Sequence, residues 1–381
     1  MEYPKFKVCC RCQTFNQAKY ITDAMNGFTM QQTSFPFVCT IVDDASTDGE
    51  QDVIRKYVED NFDFSEGSVS YHKESDYAHI TYAQHKTNKN CYFAVLYLKE
   101  NHYSQRKPTM GYLSEWRDMC EYEALCEGDD YWIDEKKIQK QVSFLDCHSQ
   151  YVMCFAGASH LNVLNNEISD YVWHSYRDQN LMISSKGKKD SFFSILFVEC
   201  RIPTLTVLYR CEIFKNRINN NVMFLMGDTP LWLDFSQMGK IGYLDEIMAV
   251  YRVILGSASH KRGDAALLFN LSMYEMRVYY CNKYGYEIPG KLMNKYNSAY
   301  CHYLIWAKDV SHDPMFPMFN TNSIYVIIYK LHIISKCLAK IALFCVDKIR
   351  GLINRIQIVS EFWFNIRRKI GAQFRRPKSS I

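Results

Sequence analysis

Residues 37–49 read FVCTIVDDASTDG and join a short apolar run to an abruptly polar end. Val38–Val42 is rich in β-branched residues and is bounded by Asp, Ser and Gly, which is typical of a buried strand. Both faces of the run are apolar, as in a central parallel strand covered by helices. Asp43 and Asp44 stand at its carboxyl end, where open α/β sheets bind ligands. Residues 52–58 have helical spacing, so the unit is strand, polar loop and helix.

The residues before this stretch predict a similar unit. Phe6–Cys12 is predicted to be the first strand and Lys19–Gly27 a helix, with Gly27 at its C-cap. Strand, helix, strand and helix begin a βαβ sheet, whose right-handed crossover brings Phe15 and Asp44 to one edge. Phe15 could stack on a planar ring there while Asp44 accepts hydrogen bonds from it. Ordinary packing is the other role open to Phe15.

A second acidic cluster, EGDD at residues 127–130, follows the predicted strand Tyr122–Cys126. A helix is predicted after it at Asp134–Leu145, and the apolar run Cys91–Glu100 between the two clusters is also predicted to be helical. Adjacent carboxylates raise each other's pKa, so two such clusters favour a bound cation. Oxygen ligands suit magnesium or manganese, which typically use one or two protein carboxylates and complete their shell with phosphate oxygens and water.

Several other sites are excluded by spacing. Asp44–Gly49 matches the first half of a calcium-binding EF-hand loop, but Arg55 occupies the twelfth position and a strand precedes the loop. The chain has no Gly-x-Gly-x-x-Gly, no Gly-Lys-Ser/Thr loop and no Gly-x-Ser-x-Gly elbow. Cys9, Cys10 and Cys12 lie in the first predicted strand without a partner pair at zinc-finger spacing, so zinc is not favoured.

Composition bounds the class of protein. The 381 residues, 48% hydrophobic, can bury one large core or two smaller ones. The formal net charge is +4, but residues 330–381 carry 12 Lys/Arg and 2 Asp/Glu, so a mildly acidic body bears a basic tail. The 15 cysteines are scattered, and no secretory signal is visible at the start. We therefore expect free thiols and a cytoplasmic location.

Taken in order, TFNQ at 14–17, IVDDASTDG at 41–49 and CEGDDYW at 126–132 resemble the motifs of family 2 glycosyltransferases. A further match is GDTPLWL at 227–233, followed by GKIGYL at 239–244 and VYR at 250–252. This block is similar to the acidic helix, short strand and Tyr-Arg segment of that family. The resemblance covers roughly residues 5–262.

The resemblance implies the α/β fold class called GT-A: a mixed, mainly parallel sheet flanked by helices, here with a C-terminal helical extension. It places the glycosyltransferase domain at 1–262, with a nucleotide half at about 1–135 and an acceptor half at about 136–262. Residues 263–322 would be a helical extension and linker, and 323–381 a basic amphipathic tail.

The resemblance also implies roles for single residues. Nucleotide-binding residues would be Phe15, Asp44, Asp129 and Arg252, with Phe15 and Asp44 on the base. A divalent cation, Mn or Mg, would be held by Asp130 and His260. Asp228 matches the catalytic base, and a helix N-cap role is compatible with this because Pro230 lies in the first turn.

The chemistry agrees with that reading. A nucleotide sugar expels a diphosphate, whose charge a metal neutralises without a protonating acid. One carboxylate on the opposite side can take the proton of an acceptor hydroxyl, which predicts inversion and differs from the paired carboxylates of hydrolases. We expect transfer of one sugar, from a UDP-sugar, to a saccharide or lipid-linked saccharide in surface polysaccharide synthesis.

Two rival functions are weighed against this expectation. A sugar-phosphate nucleotidyltransferase would need a glycine-rich first loop, which Cys10–Gln17 lacks. A non-enzymatic membrane-surface or nucleic-acid-binding protein would act through the basic tail alone.

The tail has helical periodicity from Ser323 onward. Basic and apolar residues fall on opposite sides: Lys330, Lys336, Lys340, Lys348, Arg350 and Arg355 on one, and Ile327, Leu331, Ile334, Leu338, Ile341, Leu352 and Ile356 on the other. Lysines interrupt any 18-residue apolar run, which disfavours a spanning helix. We expect a basic amphipathic helix on an anionic lipid surface, at the inner face of the cell membrane. Packing on the body is the alternative, and no nucleic-acid partner is expected.

Overall fold

The computed structural model describes residues 3–105, 107–169, 202–216, 222, 224–254 and 262–353. The chain divides into two compact units, Met1–His260 and Lys261–Ile381. The predicted roles of His260, Arg355 and Ile356 fall outside the described residues.

The first unit is built on one mixed sheet of eleven described strands, in the spatial order β3-β4-β5-β2-β1-β6-β10-β8-β11-β7, with β9 beside β8. The strands are β1 Val8–Thr14, β2 Phe37–Asp43, β3 Tyr71–Glu74, β4 Ala78–Gln84, β5 Cys91–Leu98, β6 Tyr122–Leu125, β7 Tyr131–Trp132, β8 Tyr151–Asn162, β9 Glu167–Ser169, β10 Leu208–Arg210 and β11 Lys240–Val253. Strands β5, β2, β1 and β6 are parallel neighbours, as are β8 and β11. The predicted α/β class, with a mixed, mainly parallel sheet flanked by helices, is confirmed.

Helices connect and cover these strands. In the first unit they are α1 Ile21–Thr29, α2 Glu50–Asn61, α3 Ser114–Arg117, α4 Lys137–Cys147, α5 Cys211–Asn216 and α6 Asp228–Met238. The second unit contains α7 Asp264–Lys283, α8 Gly290–Trp306, α9 Ile324–Ile334 and a helix α10 over residues 336–353. Ser335, in extended conformation, separates α9 from α10.

The deciding stretch forms the predicted buried strand. All seven residues of β2 are buried, and it lies between β1 and β5 with Cys39 paired to Cys10 on one side and Phe93 on the other. The predicted helix at Cys91–Glu100 is wrong, because those residues form β5, which is buried along its whole length. A short run that is apolar on both faces has no period that separates a buried strand from a buried helix.

Gly27 does not end the first helix as predicted. Helix α1 continues to Thr29, and a Cβ atom at Gly27 would lie 2.9 Å from the backbone nitrogen of Trp132. The glycine therefore lets α1 pack directly against β7, the strand that follows the second acidic cluster.

The carboxyl ends of β1, β2 and β6 meet at one edge of the sheet. Thr14 pairs with Asp43, and Arg11 with Leu125, in parallel register. The loops after these three strands therefore lie side by side, and the sequence-predicted residues of the nucleotide half all belong to them.

Candidate active site

Three loops form the site, and each is named here for its strand: the first loop (residues 15–20) after β1, the second loop (44–49) after β2, and the acidic loop (127–130) after β6. The first two are joined by backbone-directed hydrogen bonds. The Asn16 amide donates to Ser46 Oγ at 2.9 Å, and Asn16 Oδ1 accepts from the Thr47 amide at 2.7 Å.

Both joined loops contain a residue in the left-handed region. Asn16 has φ 55° and Ala45 has φ 59°. This conformation is uncommon outside glycine, and alanine lacks the side-chain polar group that helps asparagine adopt it. The surrounding hydrogen bonds therefore hold both loops in a fixed shape, and Phe15, 44% exposed, stands next to that constrained position.

Asp44 is anchored by the loop that follows β5. Its Oδ1 accepts from the His102 amide at 2.7 Å and its Oδ2 from the Tyr103 amide at 3.0 Å. Asn101 Nδ2 donates to the Asp44 carbonyl at 3.0 Å. Each carboxylate oxygen retains acceptor capacity, so the side chain is oriented by the protein and can still accept from a ligand.

The acidic loop packs on the end of β1. A Cβ atom at Gly128 would lie 2.2 Å from Thr14 Oγ1 and 2.5 Å from Gln17 Oε1, so only glycine fits. Asp129 is half-buried. Asp130 is 2% exposed and its Oδ1 accepts from the Arg252 amide at 2.7 Å.

The Arg252 side chain makes a hydrogen bond, an ion pair and two aromatic contacts. Its Nη1 donates to the Asp129 carbonyl at 2.8 Å, and its Nη2 pairs with Asp23 of α1. The guanidinium lies over the Tyr131 ring at 4.5 Å and the Tyr20 ring at 5.0 Å. Arg252 therefore fastens β11 and α1 to the acidic loop, and its position fixes Asp130 through the backbone.

Burial favours the protonated forms of the carboxyl groups in the acidic loop. Desolvation, followed by the charge of Asp129, raises the pKa of Glu127 to about 7. Desolvation and the neighbouring carboxylates Asp129 and Glu127 raise the pKa of Asp130 well above its usual range, and burial raises the pKa of Asp129. A bound cation would favour the ionised forms.

Asp228 comes to the same place from a distant part of the chain. It is the first residue of α6, where its Oδ1 accepts from the Thr229 amide at 2.6 Å and its Oδ2 from Thr204 Oγ1 at 3.1 Å. Thr204 connects it to the segment after the acidic loop, because the carbonyl of the next residue, Leu205, accepts from Nε1 of Trp132 at 2.7 Å. The N-cap role considered from the sequence is wrong, because Gly227 is the N-cap residue, no side-chain cap hydrogen bond is present, and Asp228 is the first residue of the helix itself.

The structure thus brings together Asp129, Asp130, Asp228 and Arg252, with Phe15 and Asp44 on the adjoining loops. Sequence reasoning missed four contributors that hold these residues: Gln17, Asp23, Glu50 and the backbone of residues 102–103. The available signal was weak, since a Glu directly after DG and an Asp on the first helix are both ordinary at helix starts.

No family model matches the chain. Uncharacterized proteins of Mycobacterium bovis and Mycobacterium tuberculosis are 30% identical to it over 244 residues, which are 63% of this chain and 56% of each relative. The chain therefore spans little more than half the length of the curated relatives it matches.

The solved structures to which the chain is similar include glycosyltransferases. S. aureus TarS 1–349 in complex with UDP-GlcNAc is 14% identical with a TM-score of 0.42, over 78% of this chain and 81% of that one. The mannosyltransferase PcManGT from Pyrobaculum calidifontis, in complex with GDP-Man and Mn2+, is 12% identical with a TM-score of 0.45, over 80% and 70%. Because these identities are below 25% and these TM-scores below 0.5, the function proposed below is argued from the site and not from these similarities.

Proposed function

We propose that this protein is an inverting glycosyltransferase that moves one sugar from a nucleoside diphosphate sugar to a hydroxyl of an acceptor. The observation that carries the proposal is the connection of Asp228, through Thr204 and the Leu205–Trp132 hydrogen bond, to the segment of the acidic loop. A carboxylate that can act as a base is thereby placed on a different element from the carboxylates suited to the leaving diphosphate. UDP-sugar is the proposed donor, and a saccharide or lipid-linked saccharide of a surface polysaccharide the proposed acceptor.

In this mechanism, Asp228 takes the proton of the attacking hydroxyl. The Thr229 amide and the Thr204 hydroxyl hold its carboxylate in one orientation, which a general base requires. Attack from the side opposite the diphosphate inverts the anomeric carbon. Phe15 stacks on the nucleobase, and Asp44, preset by two backbone amides, accepts hydrogen bonds from the base edge.

The acidic loop fits a hard divalent cation in its donor chemistry. Among the residues that the structure describes, no three His, Cys, Asp or Glu side chains form a ready metal site. Magnesium or manganese typically takes one or two protein carboxylates and the remaining ligands from phosphate and water. Asp130, with Asp129 beside it, would hold the ion, which when bound would neutralise charge on the departing diphosphate. Arg252 is proposed to contribute positive charge at the same place.

The test begins with binding. Isothermal titration with UDP and GDP, each with and without manganese, should show a nucleotide that binds only with the cation. Asp130→Asn should abolish the dependence of nucleotide affinity on manganese. Asp129→Asn, measured in the same way, shows how much the neighbouring carboxylate contributes to that dependence. Absence of binding by any nucleoside diphosphate contradicts the proposed site.

The second step tests chemistry. With a donor sugar identified from the bound nucleotide, Asp228→Asn should lower kcat by roughly 10²–10⁴-fold, the range for loss of a general base. Its donor affinity should be unchanged, since Asp228 contacts the acceptor side. An Asp228→Asn enzyme with wild-type kcat would exclude Asp228 as the base.

A membrane-surface location is proposed from the second unit. Its α9 and α10 helices bury Tyr325, Ile328, Ala339 and Leu343 against α8, and so pack with a different face from the apolar side identified in the sequence. Leu331 of that side packs partly against the same core, whereas the other described residues of that side are exposed. The large apolar residues of these helices that are about half exposed or more are Ile327, Ile333, Ile334, Leu338, Ile341, Phe344, Ile349, Leu352 and Ile353.

Exposed cations accompany this apolar row: Lys330, Lys336, Lys340, Lys348 and Arg350. Apolar residues edged by lysines fit an anionic bilayer surface. Among the described residues, no helix combines the length and hydropathy needed to cross a membrane. Peripheral binding at the inner face would bring the protein to the membrane that carries a lipid-linked acceptor.

Vesicle flotation tests this part. The full chain should float with phosphatidylglycerol vesicles and not with phosphatidylcholine vesicles, and Ile334→Glu/Leu338→Glu should remain in solution. Leu164→Glu, at an exposed leucine of the first unit (73% exposed), is the matched control and should float like the wild type. Flotation without nucleotide binding would instead favour the non-enzymatic membrane-binding function.

A further inference from the structure

A buried carboxylate outside the predicted site connects all three loops. Glu50, the first residue of α2, is 0% exposed. Its Oε2 accepts from the Gln17 amide at 2.8 Å and from Ser46 Oγ at 2.8 Å. Its Oε1 is hydrogen-bonded to Thr14 Oγ1. One side chain thus holds the end of β1, the first loop and the second loop together.

The same connection reaches the acidic loop through two of these partners. Thr14 Oγ1 also lies 2.8 Å from Gln17 Oε1, and both atoms border Gly128 closely enough that no Cβ fits between them. Movement of Thr14 or Gln17 would therefore move the acidic loop.

Among the described residues, Glu50 is not part of an ion pair. No cation is among the groups that the structure places in contact with Glu50; its described partners are two hydroxyls and one amide. Burial, as the largest cause, raises its pKa. A buried carboxyl group without a counter-ion is expensive, and such groups persist where they fix a functional geometry.

The strained residues are the ones that this arrangement holds. Asn16 and Ala45, with positive φ, flank the Glu50 contacts with Gln17 and Ser46. Phe15 and Asp44, the proposed base-binding pair, are their immediate neighbours in sequence. The carboxyl group therefore holds in place the two segments on which nucleobase recognition depends.

We infer that Glu50 is a positioning residue for the donor site, setting the geometry of the nucleobase loops and of the acidic loop at once. The inference rests on the proposed function, because its readout is nucleotide binding. It assigns no contact between Glu50 and the ligand. Its distinctive consequence is that one substitution weakens both the nucleotide affinity and the response of that affinity to manganese.

The experiment compares Glu50→Ala, Glu50→Gln and Glu275→Gln in the full chain. Glutamine keeps one oxygen, which can accept from Gln17 and Ser46, whereas alanine keeps no acceptor. Glu275 is the matched control: it is 1% exposed, lies in the second unit, and accepts from the Met315 amide at 2.8 Å. Melting temperatures are recorded for all variants, and UDP and GDP affinities are measured by titration with and without manganese.

We expect Glu50→Ala to lose about tenfold or more in nucleotide affinity, equal to about 1.4 kcal/mol, together with most of the manganese effect. Glu50→Gln should recover most of that affinity. Glu275→Gln should lower the melting temperature while binding nucleotide like the wild type.

The outcomes are distinguishable. If the wild type binds no nucleotide, the proposed function fails and not the role of Glu50. If the wild type binds and Glu50→Ala binds equally well, the inference is overturned. If Glu50→Ala does not fold, Glu50→Gln decides. A residual loss of nucleotide affinity relative to Glu275→Gln supports positioning by Glu50, and a nucleotide affinity equal to that of Glu275→Gln refutes it.

Discussion

Replacing Gly128 by alanine should destabilise the first unit, because the acidic loop has no room for a methyl group. The added Cβ would lie 2.2 Å from Thr14 Oγ1, 2.5 Å from Gln17 Oε1 and 2.7 Å from Thr14 Cβ. Carbon atoms in contact are ordinarily separated by about 3.5–4.0 Å. Thr14 and Gln17 must therefore move by an ångström or more.

The size of the effect follows from what that movement disrupts. Overpacking of a buried site costs about 1–3 kcal/mol, and loss of one of the hydrogen bonds among Thr14, Gln17 and Glu50 adds about 1 kcal/mol. The smaller entropy of an alanine in the unfolded chain offsets about 0.4–1 kcal/mol of this. We expect the free energy of unfolding to fall by about 2 kcal/mol.

Urea denaturation followed by tryptophan fluorescence measures this change. Gly111→Ala is the control, since no atom lies within 4 Å of a Cβ at Gly111 and its φ is not positive. The control should change the unfolding free energy by less than about 0.5 kcal/mol. Equal stability of the two variants would refute the close packing of the acidic loop on β1.

Three further predictions concern buried charges. Glu123→Ala should lower the free energy of unfolding by about 3–5 kcal/mol in urea denaturation, because Glu123 pairs with Arg11 Nε at 2.7 Å and Arg117 Nε at 2.6 Å; a change below 1 kcal/mol would contradict a structural role. Glu127→Gln should instead raise the melting temperature at pH 8, where the carboxyl group with its pKa raised to about 7 by burial is ionised, and a lower melting temperature would refute this. Burial lowers the pKa of Lys137 to about 8, so the folded chain binds fewer protons than the unfolded one between pH 8 and 10.5. The free energy of unfolding of the wild type, minus that of Lys137→Met, should therefore increase by up to about 1.4 kcal/mol per pH unit in that window. If this difference does not change with pH, the amine is not desolvated.

The sequence predicts the parts of this site that depend on local pattern. The buried strand at 37–43, the strand at 122–125 and the carboxylates at their ends follow from composition, length and turn residues. The strand at Cys91–Leu98 could not be identified in this way, because a uniformly apolar run is compatible with either element until its neighbours are known. The role of Gly27 could not be identified either, because the contact that requires a glycine there is with Trp132, a residue more than 100 positions away.

Long-range partners were likewise beyond the sequence. The pairing of Arg252 with Asp23, and the attachment of Asp44 to the amides of His102 and Tyr103, join segments that no local period connects. Each contact fixes a residue that the motifs had already identified. The motifs thus identified the candidate site residues, and tertiary packing determined which groups hold them.

Glu123 and Glu127 are two carboxylates of one segment whose electrostatic surroundings differ. Both lie in or directly after β6, and burial raises the pKa of each. For Glu123, the charges of Arg11 and Arg117 more than offset this effect and lower the pKa overall. For Glu127, the adjacent Asp129 and the distant Asp228 add repulsion instead, and Arg11 offsets only part of it. A fold selected for stability alone would neutralise the second group as it does the first. Under the proposed function, a cation bound with a nucleoside diphosphate would supply positive charge near Glu127. The opposite stability changes expected for Glu123→Ala and Glu127→Gln test that difference without any assay of catalysis.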